Sequence, residues 1–340
     1  MIFVTGATGL IGSFLLRELR ARGLAVRALH RGPRPSDTVL GVEWVEGNIL
    51  DGTLLATVIS PDVTHVFHCA GLVSYAPQDE DALLQVNVEG TAAVVDACLA
   101  RPGIRLGYVS SVAALGQPAA EPEEATGAVR LLNEKATWDL GASHPAYATS
   151  KYLGELEVWR GAAEGLAAVI VSPSVVLGPG DWHRSSTRLL RYAYDEHRFY
   201  TKGLLNFVDV RDVVAHLLRL TLELPAGPAT ERYILNGGAY PLGDFLRAAA
   251  VAFGRRPPTV AVPDWAAELI WRFEHGRAVL TGARPLITRD TARAGRQHIQ
   301  YDASKVQSAT GLGFRPLAET LAWATQGLKT NRTSPQTVVS

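Results

Sequence analysis

Tyr147 and Lys151 stand four residues apart in Ala146-Tyr147-Ala148-Thr149-Ser150-Lys151, at the opening of a helical stretch. That spacing puts both side chains on one helix face. A phenol, with a pKa of about 10, is a poor proton donor or acceptor near neutral pH. A cation held beside it stabilises the phenolate and brings it toward the working range. Ser111, which follows Tyr108-Val109-Ser110, adds a hydroxyl able to polarise a carbonyl oxygen. Ser111, Tyr147 and Lys151 are therefore the candidate catalytic residues, and the chemistry is proton transfer at an oxygen. A bare Y-x-x-x-K pattern also arises by chance on helical surfaces, so its weight depends on what surrounds it.

A second pattern lies at the start of the chain. Ile2 to Thr5 reads as a strand, followed at once by Thr5-Gly6-Ala7-Thr8-Gly9-Leu10-Ile11-Gly12 and then a helix. Glycines at these positions permit a tight turn, a close approach of backbone to pyrophosphate, and close packing of helix on strand. The helix N-terminus contributes free N–H groups and a positive dipole end. The spacing is G-x-x-G-x-x-G, not the G-x-G-x-x-G of the general dinucleotide fingerprint. The second strand ends in Arg27-Ala28-Leu29-His30-Arg31-Gly32-Pro33-Arg34, without a carboxylate to bind a ribose 2′-hydroxyl. Arg31 can instead grip a 2′-phosphate with a bidentate, charge-assisted contact, and Arg34 is a second such group. NADP(H) is the expected cofactor and NAD the alternative; the bland reading is a pair of solvated loop arginines.

The elements that must position these groups alternate. Short apolar runs at Ile2 to Thr5, Ala25 to His30, Val42 to Val45, Val63 to Cys69, Leu106 to Ser110 and Ala167 to Ser172 are separated by helical stretches such as Ile11 to Arg22 and Ala82 to Ala100. Consecutive apolar positions suit strands covered on both faces, and repeated strand–helix–strand units need a parallel sheet. The expected fold is α/β: a Rossmann-type, doubly wound parallel sheet with a smaller, mostly helical C-terminal lobe. Residues 1–180 form the nucleotide-binding domain, and a strand and helix at 204–222 return to it. Residues 181–329 form mainly the substrate lobe, including short strands near Asn206 to Val208 and Arg232 to Leu235. The polar tail at 330–340 is expected to be disordered.

Bulk properties narrow the partners. Of 340 residues 47% are apolar, enough for a large core, while 33 basic and 33 acidic residues cancel. A neutral chain has no electrostatic pull on nucleic acid or an anionic membrane. Cys69 and Cys98 stand at no metal-ligand spacing and read as buried thiols, so neither a metal site nor a disulfide is expected. With no signal sequence and no uninterrupted membrane-length apolar run, the cytoplasm is the expected location. Asp209 and Asp212 read as helix caps and supports.

The motifs, in order, resemble those of extended short-chain dehydrogenases/reductases. They are Thr5 to Gly12, Asn48-Ile49-Leu50-Asp51, His68-Cys69-Ala70-Gly71, Asn87-Val88-Glu89-Gly90-Thr91, Ser110-Ser111, Tyr147 to Lys151, Pro173-Ser174 through Gly178-Pro179-Gly180, and Phe207 to Asp212. The chain is similar to the epimerase/dehydratase group, and most to its dihydroflavonol-reductase-like and hydroxysteroid-dehydrogenase-like members. The resemblance implies that Tyr147 is the general acid/base, that Lys151 lowers its pKa and binds the nicotinamide ribose, and that Ser111 orients the substrate oxygen. It implies a cofactor lying along Gly6, Thr8, Gly9, Leu10, Ile11, Gly12, Arg31, Arg34, Asn48, Ile49, Cys69, Ala70 and Gly71. Asn87, Tyr147 and Lys151 would meet it further on, with Pro173, Ser174 and Val175 lining the nicotinamide end. Asn48 replaces the usual aspartate, and its amide oxygen can still accept a bond from adenine. Relatives commonly dimerise through the helices carrying Asn87 and Tyr147.

Three enzyme readings share this machinery. A 4,6-dehydratase would carry acidic groups just after the active-site hydroxyl, where this chain has Val112-Ala113-Ala114-Leu115. A nucleotide-sugar epimerase with tightly held NAD is the runner-up. A carbonyl–alcohol oxidoreductase acting on a small organic substrate fits Arg31 best, and a non-catalytic NAD(P)-binding sensor or scaffold remains a further alternative. An apolar stripe at Ala261 to Phe273 could line a substrate pocket, although ordinary core explains it as well. Thr281 to Pro285 also resembles reductase-like relatives.

Overall fold

Along Ile2–Thr5 (β1) every residue is buried, as a strand covered on both faces requires. Successive side chains part to opposite sides: Ile2 and Val4 enter one apolar cluster and Phe3 the other. The structure, a computed structural model, describes residues 1–32, 39–116, 129–182, 187–225, 227, 229–263, 265–266, 269 and 298–333. Arg34, the Thr281 to Pro285 motif and most of the Ala261 to Phe273 stripe lie outside them; of the tail expected to be disordered at 330–340, residues 330–333 instead end a helix, and 334–340 lie outside the described residues.

Helix Leu10–Ala21 (α1) follows β1, then strands Val26–His30 (β2) and Val42–Glu46 (β3), helix Gly52–Val58 (α2) and strand His65–His68 (β4). The next helix begins at Glu80–Leu84 (α3), passes through a π-helical turn at Gln85–Glu89 and continues as Gly90–Leu99 (α4). Strand Arg105–Val109 (β5), strand Arg130–Leu132 (β6), helix Ala146–Ala163 (α5) and strands Ala167–Pro173 (β7) and Val175–Leu177 (β8) come next. Beyond them are helix Thr187–Tyr194 (α6), strands Phe199–Tyr200 (β9) and Leu204–Asp209 (β10), helix Val210–Leu218 (α7), strands Glu231–Leu235 (β11) and Gly238–Pro241 (β12), and helix Leu242–Phe253 (α8). Short strands Val260–Ala261 (β13) and Ile299–Tyr301 (β14) precede helices Ser304–Thr310 (α9) and Leu317–Thr333 (α10).

Seven strands form one sheet in the order β11-β7-β5-β4-β1-β2-β3, with every pairing parallel. The order runs outward in both directions from β1 and β4. That reversal opens a crevice beyond the strands' C-terminal ends, where such sheets bind ligands. One face is covered by α1 and α7, through Leu15, Leu16, Leu19, Val213, Val214 and Leu217. The other is covered by α2, α4 and α5, through Leu55, Val94, Val95 and Val158. By length and composition Pro77–Leu99 is the one helix among the described residues that reaches a membrane span. It lies instead against the sheet, with Asn87, Thr91 and Val94 at most 1% exposed.

The C-terminal part differs from the expected division in two ways. Glu231–Leu235, read from sequence as part of the lobe, adds the seventh strand beside β7. The proline-rich stretch before it suggested a change of architecture, whereas β7 would otherwise present an unpaired edge. The outward groups of β11 are met by side chains: Ile234 N–H donates to Glu134 Oε1 at 2.9 Å, and Lys305 Nζ donates to the Arg232 carbonyl at 2.8 Å. Conversely, α7 packs on the main sheet, but β10 joins β8 and β12 in a separate three-stranded sheet. A third cluster, around Leu190, Phe245, Leu246 and Leu321, forms the core of this lobe.

Candidate active site

The end of β5 and the buried face of α5 meet residue by residue. Alternation along β5 sends Leu106 and Tyr108 toward α4 and α5. On α5, Tyr147, Lys151 and Glu155 follow one another at four-residue spacing, and all three are buried. Ser111 shares a hydrogen bond with the Tyr147 side chain. Lys151 Nζ donates to the Val109 carbonyl at 2.9 Å and lies 3.5 Å from the Tyr108 hydroxyl. Ser110 Oγ donates to Glu155 Oε2 at 2.6 Å. Three consecutive residues of one strand end thus hold three successive turns of one helix.

The helix can come this close because of glycine. A Cβ at Gly154 would stand 2.2 Å from the Asn87 carbonyl, in the π-helical turn. Asn87 is buried there and fully engaged: its Oδ1 accepts the Leu72 N–H at 2.7 Å, and its Nδ2 donates to the Leu72 carbonyl and to Ser150 Oγ. Ser150 in turn donates to the Tyr147 carbonyl at 2.8 Å. Asn87 therefore ties the loop after β4 to the first turn of α5. A single π turn adds one residue within an otherwise α-helical run, a device frequent at functional sites.

Burial sets the protonation states. It pushes the Tyr147 phenol above its ordinary value; Tyr75 adds to the rise, and the Ser111 bond opposes it. The Tyr75 ring meets Tyr147 edge-on, with centroids 5.7 Å apart. Lys151 is pushed down to about 8 by burial, with Glu155 pulling in the opposite sense. The Lys151 ammonium, one helical turn from Tyr147, is directed here to the Val109 carbonyl and the Tyr108 hydroxyl. The Cys69 thiol is pushed up to about 12 by burial, which leaves it protonated. His68 is pushed down to about 3, first by burial and then by Lys151. Its tautomer follows from its partners. Thr91 donates its own proton to the Asn87 carbonyl, so His68 Nε2 must donate to Thr91 at 3.0 Å, and Nδ1 accepts from Thr5 at 2.8 Å.

The glycine loop after β1 forms a cradle. Gly6 has φ 66°, and a Cβ on it would stand 2.4 Å from Ala70 N in the loop after β4. At Gly12 a Cβ would stand 2.1 Å from the Gly6 carbonyl. Gly9, at the N-cap of α1, supplies no side-chain cap, and the first turn holds no acidic residue. Unclaimed N–H groups and the absence of carboxylates suit a pyrophosphate, with Thr8 exposed beside them and Leu10 and Ile11 beginning the helix. Cys69, Ala70 and Gly71 face this loop across the crevice, and a Cβ at Gly71 would meet Lys151 Nζ at 3.6 Å. The residues present fit a bound dinucleotide.

Other expected contacts fall in different places. Arg31 is exposed directly after β2. Asn48 is exposed, with its Oδ1 already accepting the Leu50 N–H at 3.2 Å, and Ile49 is buried against Gly90. Pro173 ends β7 and Val175 begins β8. Ser174 donates to Asn236 Oδ1 at 3.0 Å, and Asn236 Nδ2 donates to the Tyr301 carbonyl at 2.9 Å. Val112–Leu115 forms a 3₁₀ turn that brings no carboxylate near Ser111. Sequence reading passed over Tyr75, Tyr108, Glu155 and Asn236. For Glu155 a signal existed, since it lies one further helical turn beyond Lys151.

Residues 2–235 match the model of the NAD dependent epimerase/dehydratase family. A Synechocystis sp. protein carrying the provisional name dihydroflavonol 4-reductase is 34% identical over 327 residues, covering 94% of this chain and 92% of that one. The rice (Oryza sativa subsp. japonica) cinnamoyl-CoA reductase 1 is 31% identical, covering 78% and 79%. Among solved structures, gox2253 superposes with a TM-score of 0.80 at 29% identity, covering 97% and 98%. MoeE5 in complex with UDP-glucuronic acid and NAD gives 0.74 at 25%, covering 97% and 99%.

Proposed function

Because the chain belongs to the NAD-dependent epimerase/dehydratase family of extended short-chain dehydrogenases/reductases, and is thus an NAD(P)-dependent enzyme, we propose that it is an NADP-dependent oxidoreductase interconverting a carbonyl and a secondary alcohol. The observation that carries this reading is the pairing of the β5 end with one face of α5, which sets the Ser111 hydroxyl on Tyr147 and holds Lys151 one turn away. Reductase names among relatives at 31–34% identity support it. Arg31 after β2, with no carboxylate in that turn, favours a 2′-phosphate.

When bound, the nicotinamide supplies or accepts the hydride. The chain's own residues handle the oxygen. In reduction, Ser111 donates a hydrogen bond to the carbonyl oxygen, and Tyr147 gives its proton to that oxygen as charge develops there. Burial raises the phenol's pKa, so Tyr147 starts protonated. The Lys151 ammonium offsets the phenolate left behind. Asn87, through Ser150, fixes the helical turn that carries Tyr147.

Tyr147→Phe should reduce turnover by about 10²- to 10⁴-fold while leaving the dissociation constant for NADPH unchanged. Full turnover by this variant on a verified ketone or aldehyde overturns the assignment. The solved neighbour that holds NAD and a UDP-sugar favours a second reading, nucleotide-sugar epimerisation. Purified protein that retains NAD through dialysis would move that reading to first place.

A further inference from the structure

Beneath Lys151 lies a charged group that the reaction as derived does not use. Glu155 is 1% exposed, yet its carboxylate is fully partnered. Oε2 accepts from Ser110, while Oε1 accepts from Trp159 Nε1 at 3.2 Å and pairs with Arg232 Nη2 at 2.6 Å. The three partners come from the residue just after β5, from α5 itself and from β11, so the carboxylate is a joint between the helix and two strands of the sheet. Ser110 sits between Val109, whose carbonyl receives the Lys151 ammonium, and Ser111, whose hydroxyl meets Tyr147.

We propose that Glu155 is a positioning residue for Lys151. Its carboxylate fixes the strand end that aims the ammonium and keeps that ammonium charged, and Arg232 sets how much of the negative charge reaches it. The other titratable groups around Lys151 are neutral near pH 7. His68 is held uncharged from the β4 side, the Cys69 thiol beside it stays protonated, and Tyr108 and Tyr147 are both raised by burial. Glu155 is therefore the anion that opposes the desolvation of Lys151, and its attraction acts in that sense. Arg232 pairs with the same carboxylate, at Oε1. Neutralising Glu155 and neutralising Arg232 must then move Lys151 in opposite directions.

The role of Lys151 in turnover rests on the function proposed above, whereas the titration of Lys151 does not. The chain has five lysines, so side-chain ¹³Cε labelling gives few resonances, and Lys151→Met identifies the one that matters. The experiment follows that resonance with pH in the wild type, Glu155→Gln and Arg232→Gln, alongside thermal melts and NADPH binding. In Glu155→Gln the Lys151 midpoint should fall by about one pH unit; in Arg232→Gln it should rise. The alkaline limb of kcat/KM should follow both shifts. An unmoved midpoint in Glu155→Gln, or a shift of the same sign in both variants, overturns the proposal. If Glu155→Gln does not fold, Arg232→Gln decides alone, since a midpoint that does not rise excludes the shared carboxylate. An active Tyr147→Phe would remove the catalytic reading and leave this titration result standing.

Discussion

Arg31 is the single side chain on which the proposed preference for NADP turns. It is exposed, next to the crevice and without a neighbouring carboxylate in its turn. A charge-assisted hydrogen bond is worth about 1.5–3 kcal/mol, so Arg31→Ala should weaken NADPH binding roughly 10- to 100-fold in a fluorescence titration. NADH affinity should stay nearly constant, and equal losses would mean that Arg31 does not read the 2′-phosphate. Lys151 gives a second expectation at this scale. With its pKa near 8, the ammonium is full below that value and lost above it, so kcat/KM should decline on the alkaline side from about pH 8. Arg31, Tyr147 and Lys151 stand out in the sequence because each sits in a local pattern with a mechanical meaning. Glu155 was harder to see, because its meaning comes from Arg232, 77 positions along the chain, on a strand that sequence reading gave to the other lobe. Tyr75 and Asn236 likewise acquire their partners only when distant loops meet.

At the scale of elements, the contact between α5 and the π-helical turn is the tightest constraint on the site. Gly154→Ala puts a methyl 2.2 Å from the Asn87 carbonyl, and neither backbone can yield cheaply. The substitution should cost about 1–3 kcal/mol, the usual cost of overpacking, and should lower turnover by displacing Tyr147. Urea unfolding together with kcat checks this, and an unaltered midpoint would show that α5 has room to move. The six strands read from apolar runs all occur, with ends displaced by a residue or two, because burial on both faces leaves a strong compositional mark. The helix read as Ala82 to Ala100 begins earlier and contains a turn of different pitch. Apolar periodicity cannot register one inserted residue when both neighbouring turns remain buried. Strand β11 was assigned to the lobe because prolines precede it, and sheet membership is decided by the edge that β7 leaves open.

For the whole molecule, two buried histidines tie stability to pH. His216 on α7 donates through Nδ1 to Thr310 Oγ1 on α9, which gives its own proton to the Val306 carbonyl. Burial pushes His216 down to about 4, against a smaller opposing effect of the Gly313 backbone. Its folded pKa lies below the unfolded value of 6.5, so between those pH values the unfolded chain binds more protons. Stability is therefore full above about pH 6.5 and falls as pH drops toward 4. For His216 alone the loss is about 3 kcal/mol, and His68 acts in the same sense. Urea midpoints measured from pH 7.5 to 4 should fall accordingly, and His216→Gln should flatten part of that slope. Acid unfolding is thus expected to release the joint between the main sheet and the C-terminal helices. The flank of the sheet at β11 has a different consequence. Glu134 and Lys305 occupy the backbone groups that an incoming strand of another molecule would need, and both bring charge to that border. A strand of another molecule that meets this border finds these two groups already engaged and charge beside them, which disfavours extension of the sheet there.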